Sequence, residues 1–229
     1  MALYAIGDLH LSLSSNKPME IFGDGWKDYV QRIKEGFSQL NDDDVTVLCG
    51  DISWGMSLEE SLEDFKFIDA LPGKKILLKG NHDYWWNTVA KMERFFKEHE
   101  LTTMSFLYNN CLSYGDKAIC GTRGWFYELD NEGTHNEKML LREAGRLETS
   151  LKLAGEREIL CFLHYPPLYQ GYECPELLRL LQEYRVKACY YGHLHGASHR
   201  RRIEGNSRGT DFSLIAADYL RFIPKKICD

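Results

Sequence analysis

The 229-residue sequence predicts an α/β fold, and three observations carry that expectation. Short apolar runs alternate with segments of helical period. Each run is strand-length, roughly four to eight residues, and too short for a buried helix. Each also ends in a compact polar cluster, as strands do when they deliver side chains to a binding crevice. Strand–helix alternation of this kind argues parallel pairing with both sheet faces covered. The length suits one domain over residues 1–229, enough to bury roughly 70% of the unfolded chain's surface.

In chain order, the apolar runs are LYAIGD, VTVLCGD, KKILLKGN, REILCFLH and VKACYYGH. Between the first two, Trp26, Tyr29, Val30, Ile33, Phe37 and Leu40 recur on one helix face. Ser57 and Glu60 have the spacing of a capping box ahead of Leu58, Leu62, Phe65, Ile68 and Leu71. Pro72-Gly73 stops that helix and turns the chain. Further helices are expected over Asn87 to Glu100, Asn136 to Ala154 and Pro175 to Tyr184. Two stretches break the alternation. Residues 105–123 read as two or three short strands with turns at Asn109-Asn110 and Gly115-Asp116, and residues 198–222 read as a hairpin turning near Gly205 to Gly209. Successive short strands predict a second, more antiparallel sheet.

Composition narrows the function classes. The chain is 44% hydrophobic and 13% aromatic, a globular balance, and its net charge is -6. That charge weighs against a protein whose main business is wrapping nucleic acid or coating an anionic membrane. No apolar run reaches the ~18–20 residues needed to span a bilayer, and the start MALYAIGDLHLS lacks the basic n-region of a signal peptide. Seven cysteines without a C-x-x-C pair, four of them (Cys49, Cys120, Cys161 and Cys189) inside apolar runs, read as reduced buried thiols. A cytoplasmic protein is expected.

The chemistry is concentrated at the ends of the runs. These carry Gly7-Asp8-Leu9-His10, Gly50-Asp51, Gly80-Asn81-His82-Asp83, His164 and Gly192-His193-Leu194-His195. In an open α/β sheet the carboxyl ends of neighbouring strands converge on one crevice, so the five strands are expected to deliver these clusters to one rim. Asp8 and His10, and likewise His193 and His195, stand two residues apart, so on extended backbone both side chains of a pair point the same way. The donors are Asp8, His10, Asp51, Asn81, His164, His193 and His195, with no thiolate among them. Mixed imidazole and oxygen donors suit Mn, Fe, Zn, Co or Ni ions rather than a Cys-rich structural zinc site. Seven ligands exceed what one ion needs and match two ions sharing a carboxylate.

The order D-x-H, G-D, G-N-H-D, H, G-H-x-H, running from Asp8 to His195 with no element missing, resembles the calcineurin-like metallophosphoesterases. The resemblance implies a four-layer α/β/β/α sandwich with two mixed β-sheets. It implies that Asp8, His10 and His195 hold a first metal, that Asn81, His164 and His193 hold a second, and that Asp51 bridges them. It implies that His82 is a catalytic histidine outside the metal shell, and that Asp83 orients it. Two metals about 3.5–4 Å apart lower the pKa of a bridging water and neutralise phosphoryl oxygens, so a hydroxide can attack a phosphodiester at neutral pH. A protonated His82 would then assist the departing alkoxide.

The expected substrate is a small, nucleotide-like phosphodiester, in preference to a monoester. Trp54, Tyr84, Trp85, Trp86 and Trp125 crowd the motifs, either packed beneath the loops or standing as a wall for a flat group. Arg123 is a candidate phosphate clamp. Arg200, Arg201, Arg202 and Arg208 read as a charged edge strand that resists pairing with other chains. Asp42-Asp43-Asp44 reads as a solvated turn, and His99 and His135 as surface residues. Departures from relatives narrow the choice. The phosphoprotein phosphatases' G-D-x-V-D-R-G arginine is missing, and Trp54 stands where purple acid phosphatases have a metal-binding tyrosine. Tyr165-Pro166-Pro167 replaces the second histidine of many small bacterial phosphodiesterases, which counts against cyclic-nucleotide specificity. The rival readings are a metallo-nuclease acting on DNA or RNA, disfavoured by the acidic charge, and a non-catalytic scaffold, disfavoured by the complete ligand set.

Overall fold

A computed structural model describes residues 1–15, 17–125 and 134–229, without the side chains of residues 134 and 135. The reading of His135 as a surface residue therefore lies outside the described residues. The chain divides into two compact units, one formed by Met1–Phe106 with Ile215–Asp229 and the other by Leu107–Leu214.

The first stretch supplies strands β1 (Leu3–Ile6), β2 (Val45–Cys49), β3 (Lys74–Leu78) and β4 (Met104–Phe106), with helices α1 (Tyr29–Phe37), α2 (Leu62–Asp69) and α3 (Val89–Glu98). Residues 107–214 add β5 (Leu112–Tyr114), β6 (Lys117–Thr122), β7 (Glu158–Leu163), β8 (Leu168–Tyr169), β9 (Tyr172–Glu173), β10 (Ala188–Tyr191), β11 (Gly205–Ser207) and β12 (Thr210–Leu214), with α4 (Thr134–Lys152) and α5 (Pro175–Glu183). The chain then returns to the first unit with β13 (Lys225–Cys228).

Both large sheets are mixed, and each has a parallel centre. In the first unit the order is β13-β1-β2-β3-β4, parallel throughout except for β13 against β1. In the second unit the order is β11-β12-β10-β7-β6-β5, where β12, β10, β7 and β6 are parallel. Among the described residues, antiparallel pairs appear there at the edges only, β11 with β12 and β5 with β6. This corrects the expectation of a more antiparallel second sheet: the hairpins read from the sequence are real, but they serve as its borders. It also divides the five motif-bearing runs, three in the first sheet and two in the second.

The helices form for the reasons their periodicity suggests. Ile33 and Phe37 of α1, Phe65 and Ile68 of α2, and Met92, Phe95 and Phe96 of α3 are buried, while α5 buries Leu177, Leu178, Leu180 and Leu181. Each such side chain contributes roughly 1.5–3 kcal/mol when removed from water. The Ser57–Glu60 box is half made. Glu60 N–H donates to Ser57 Oγ at 3.2 Å, but the Glu60 carboxylate accepts from Met56 N–H rather than from Ser57. A turn therefore fills residues 58–61 and the helix starts at Leu62.

After α2, Gly73 takes φ 80°, and a Cβ there would lie 2.7 Å from Asp44 O, so the turn requires glycine. Lys75, 0% exposed, closes this end of the unit by donating to the carbonyls of Leu71 (2.6 Å), Gly73 (2.8 Å) and Asp69 (3.3 Å). The solvated-turn reading holds for Asp42 and Asp43 but not for Asp44, which is buried. Its carboxylate accepts from the N–H groups of Ala2 and Asn41, and these bonds hold its pKa below the ordinary carboxylate value.

Candidate metal centre

The first unit positions its motif residues in loops that leave β1, β2 and β3 at their carboxyl ends. Asp8 (φ 60°), His10 (φ 47°) and Asp51 (φ 49°) all adopt the left-handed conformation. Non-glycine residues rarely do so, and where they do the surrounding structure must hold them there. Here the loops after β1 and β2 lie along each other. Asp8 N–H donates to Gly50 O (2.8 Å), His10 N–H to Asp51 O (2.9 Å) and Leu11 N–H to Ile52 O (2.9 Å), while Trp54 N–H returns to Leu11 O (2.9 Å). Asp8, His10 and Asp51 are buried. A carboxylate oxygen of Asp8 and a ring nitrogen of His10 lie within 4.8 Å of each other, and His10 Nε2 is 3.7 Å from Asp51 Oδ2. Two buried carboxylates beside an imidazole are costly without positive charge, and this oxygen-and-nitrogen donor set fits divalent transition ions.

The loop after β3 is fastened to the loop after β2. His82 N–H donates to Asp51 Oδ1 at 2.8 Å, while Asn81 and His82 are partly exposed. Asp83 is 0% exposed and accepts four bonds. Its Oδ1 takes Ile52 N–H (2.8 Å), Ser53 N–H (3.3 Å) and Trp85 Nε1–H (3.0 Å), and its Oδ2 takes Gly80 N–H (2.7 Å). The bonds of this carboxylate thus go to the two loops and an indole, not to the His82 ring. Burial raises its pKa, against the pull of the same four donors.

The aromatic residues divide between the two readings. Trp85 is wholly buried, edge-on to Phe65 at 4.8 Å, and Trp86 packs on Phe106. Tyr84 is exposed. Trp54 stacks on His10 (5.1 Å, 25°), tilts against His82 (4.4 Å) and carries Lys17 Nζ on its ring at 4.4 Å. It therefore sets the orientation of two motif imidazoles.

In the second unit, Leu163 of β7 and Tyr191 of β10 are register partners, so His164 and Gly192-His193 leave adjacent strand ends. Gly192 N–H donates to His164 O (3.1 Å). His164 is buried, His193 takes φ 70°, and the two rings meet edge-on at 5.2 Å with nitrogens within 4.8 Å. Tyr165 packs against His193 (4.5 Å) and donates its N–H to Arg123 O (2.8 Å). Arg123 is held from two sides. Its Nη2 donates to Glu143 (3.3 Å), and its guanidinium lies 4.8 Å from the Trp125 ring, which is itself edge-on to Tyr165. The ion pair is a sheltered one, because Glu143 is 0% exposed and also accepts from Thr122 and Arg146.

His195 starts a 3₁₀ helix, Gly196–Arg201, in which a ring nitrogen of His199 lies within 4.8 Å of one on His195. The edge-strand reading of the basic run is corrected here. Arg200 and Arg201 are in this 3₁₀ helix, Arg202 follows it, and Arg208 occupies the turn between β11 and β12. The bonds Ser198 N–H to His195 O and Arg202 N–H to His199 O wind the segment before the strand begins.

Three residues near the motifs had no reading from the sequence. Asp64 is buried and accepts from Ser53 Oγ–H and Leu13 N–H, tying the loops after β1 and β2 to α2. Glu143 anchors Arg123, and His199 stands beside His195. For Asp64 and Glu143 a signal was present: each is a carboxylate on the apolar stripe of its helix, with Phe65 and Ile68 or with Leu140 and Leu147.

The family model for calcineurin-like phosphoesterases matches residues 1–197. Among solved structures, the phosphopantetheinyl hydrolase of Mycobacterium tuberculosis is similar at 14% identity and TM-score 0.59, covering 99% of this chain and 95% of that one. A protein of unknown function from Aquifex aeolicus, AQ665, is similar at 16% identity and TM-score 0.53, over 98% of this chain and 95% of that one. At these identities the likeness is one of fold. A comparison with curated proteins finds no match.

Proposed function

The chain belongs to the calcineurin-like phosphoesterase family, and we propose that it is a dinuclear metal-dependent phosphoesterase acting on a phosphodiester, in preference to a monoester, of a small nucleotide-like molecule. The observation that carries the reading is the backbone of the motif residues. Asp8, His10, Asp51 and His193 are all left-handed, a conformation that non-glycine residues keep only where the surrounding structure holds them, and here four of the motif side chains are aimed from it.

In this reading Asp8, His10 and His195 hold one ion, Asn81, His164 and His193 hold the other, and Asp51 serves both. The reading takes residues 1–229 as one metallophosphoesterase domain. Bound ions of the Mn, Fe, Zn, Co or Ni type would supply water activation and neutralise charge on the phosphoryl group. The chain does the rest. His82, partly exposed and steadied by Trp54, gives a proton to the leaving oxygen. Asp83 acts through the backbone, holding the loops that carry Asp51 and Asn81 in register. Arg123, with its guanidinium anchored by Glu143 and stacked on Trp125, takes a phosphoryl oxygen of the substrate. Nucleic acid is a disfavoured substrate at a net charge of -6. Seven cysteines without a disulfide suit the cytoplasm, and among the described residues no helix is long and apolar enough to cross a membrane.

The test is hydrolysis of bis(p-nitrophenyl) phosphate beside p-nitrophenyl phosphate by metal-stripped protein titrated with Mn²⁺. Diester turnover restored near two equivalents is the expected result. Restoration at one equivalent rejects the dinuclear assignment, preference for the monoester makes the protein a phosphatase, and silence on both substrates with two metals bound leaves a narrow substrate requirement or a scaffold.

A further inference from the structure

The two loops of the second unit that carry His164 and His195 continue into two segments that are hydrogen-bonded to each other beyond the metal motifs. Four residues beyond His164 the chain enters the β8–β9 hairpin, and immediately after His195 it enters the 3₁₀ helix Gly196–Arg201. Gln170 N–H donates to Arg201 O at 2.7 Å, fastening the hairpin to that helix, and Cys174 N–H donates to Pro167 O at 2.9 Å, closing the hairpin's base. A cavity of about 380 Å³ lies against this hairpin, with Tyr169, Gln170, Tyr172 and Ile203 among its lining residues.

Its chemistry is specific. Tyr169 and Tyr172 stack at 5.0 Å and 20°, so their rings present aligned aromatic surface, and both are partly exposed. Glu173, the carboxylate of the wall, is paired with Arg208 at 2.6 Å, which removes its repulsion for an anion. Arg200 and Arg201 are exposed and have no carboxylate partner among the described residues. Aromatic surface on a hairpin that is hydrogen-bonded to a guanidinium-bearing segment suits a flat ring that carries phosphate.

We propose that the β8–β9 hairpin and the Arg200–Arg201 turn form a subsite for the ring and outer phosphate of an aromatic phosphoester, with the ring against the Tyr169–Tyr172 pair and the phosphate on the two arginines. It rests on the phosphoesterase reading in one respect: the ligand is taken as part of the substrate, which the direct passage of the chain from the His164 and His195 loops into these segments supports. It gives a protein of net charge -6 a local basic site for an anionic substrate, because two guanidinium groups follow the motif histidine His195 by five and six residues.

The experiment titrates ADP into the full-length, metal-stripped protein by calorimetry, so that no ion captures the phosphates. Wild type binds ADP, Arg200→Ser with Arg201→Ser weakens it by about 10-fold, Tyr172→Leu weakens it by about 10-fold, and Tyr172→Phe restores it. The arginine variant changes only exposed side chains, so it stays informative if Tyr172→Leu disturbs the hairpin. Absence of ADP binding, unchanged affinity in both variants, or pyrophosphate binding as tightly as ADP overturns the proposal. Turnover of bis(p-nitrophenyl) phosphate by the Mn²⁺-loaded wild type reports on the phosphoesterase reading alone, so the two fail separately.

Discussion

The backbone N–H of His82 donates to Oδ1 of Asp51 at 2.8 Å, so the loop after β3 takes its position from a side chain of the loop after β2. The residue proposed to bridge two ions is also the acceptor that places the proposed proton donor. Gly80 makes this closeness possible: a Cβ there would lie 2.1 Å from both the nitrogen and Oδ1 of Asp51.

Asp51→Asn separates charge from geometry, because the amide oxygen still accepts from His82 N–H. Turnover is expected to fall ~100-fold or more, with loss of metal from the purified protein. Elemental analysis beside kinetics checks it, and near wild-type turnover rejects the bridging role. Gly80→Ala should disturb the same contact by displacement, costing on the order of 1–3 kcal/mol in denaturant unfolding.

His82→Ala should slow the diester reaction by ~100-fold or more while metal content stays unchanged. Loss of metal in this variant would make His82 a ligand instead.

Asp83→Asn distinguishes two roles for one carboxylate. An orienting partner of His82 predicts a lower turnover number with metal affinity intact. The four bonds to Ile52, Ser53, Gly80 and Trp85 predict the opposite emphasis. An amide places an N–H₂ against at least one of these donors, so stability should drop by about 1–3 kcal/mol, and metal affinity by roughly 10–100-fold. Thermal melting and metal titration decide between them.

Lys75 gives a pH dependence remote from the motifs. Burial pushes its pKa down to about 8, opposed by the charges of Asp69 and Asp42. The unfolded chain, with an ordinary lysine near 10.5, binds more protons than the folded chain between these values. Stability carried by this residue therefore rises with pH from about 8 toward 10.5, and the penalty is complete and constant below that window. Relative to Lys75→Met, the wild type should gain on the order of 3 kcal/mol across it, measured by urea unfolding at several pH values. A constant difference would show that the ammonium is not desolvated.

Much of the protein is legible in its residue order, because local chemistry needs no partner to be recognised. The apolar runs became β1, β2, β3, β7 and β10, and the periodic segments became α1 to α5, since strand and helix periods are written in adjacent residues. The clusters from Asp8 to His195 marked the family for the same reason: they are short motifs at strand ends. Long-range pairing was not legible. Which runs share a sheet depends on which edges meet, and so the second sheet proved parallel at its centre with hairpins at its borders. Tertiary packing alone decided that Asp83 serves Ile52, Ser53, Gly80 and Trp85, that Glu143 holds Arg123, and that the basic run winds into a 3₁₀ turn. A buried carboxylate takes whichever donors the fold leaves beside it, and those donors come from residues far away in sequence.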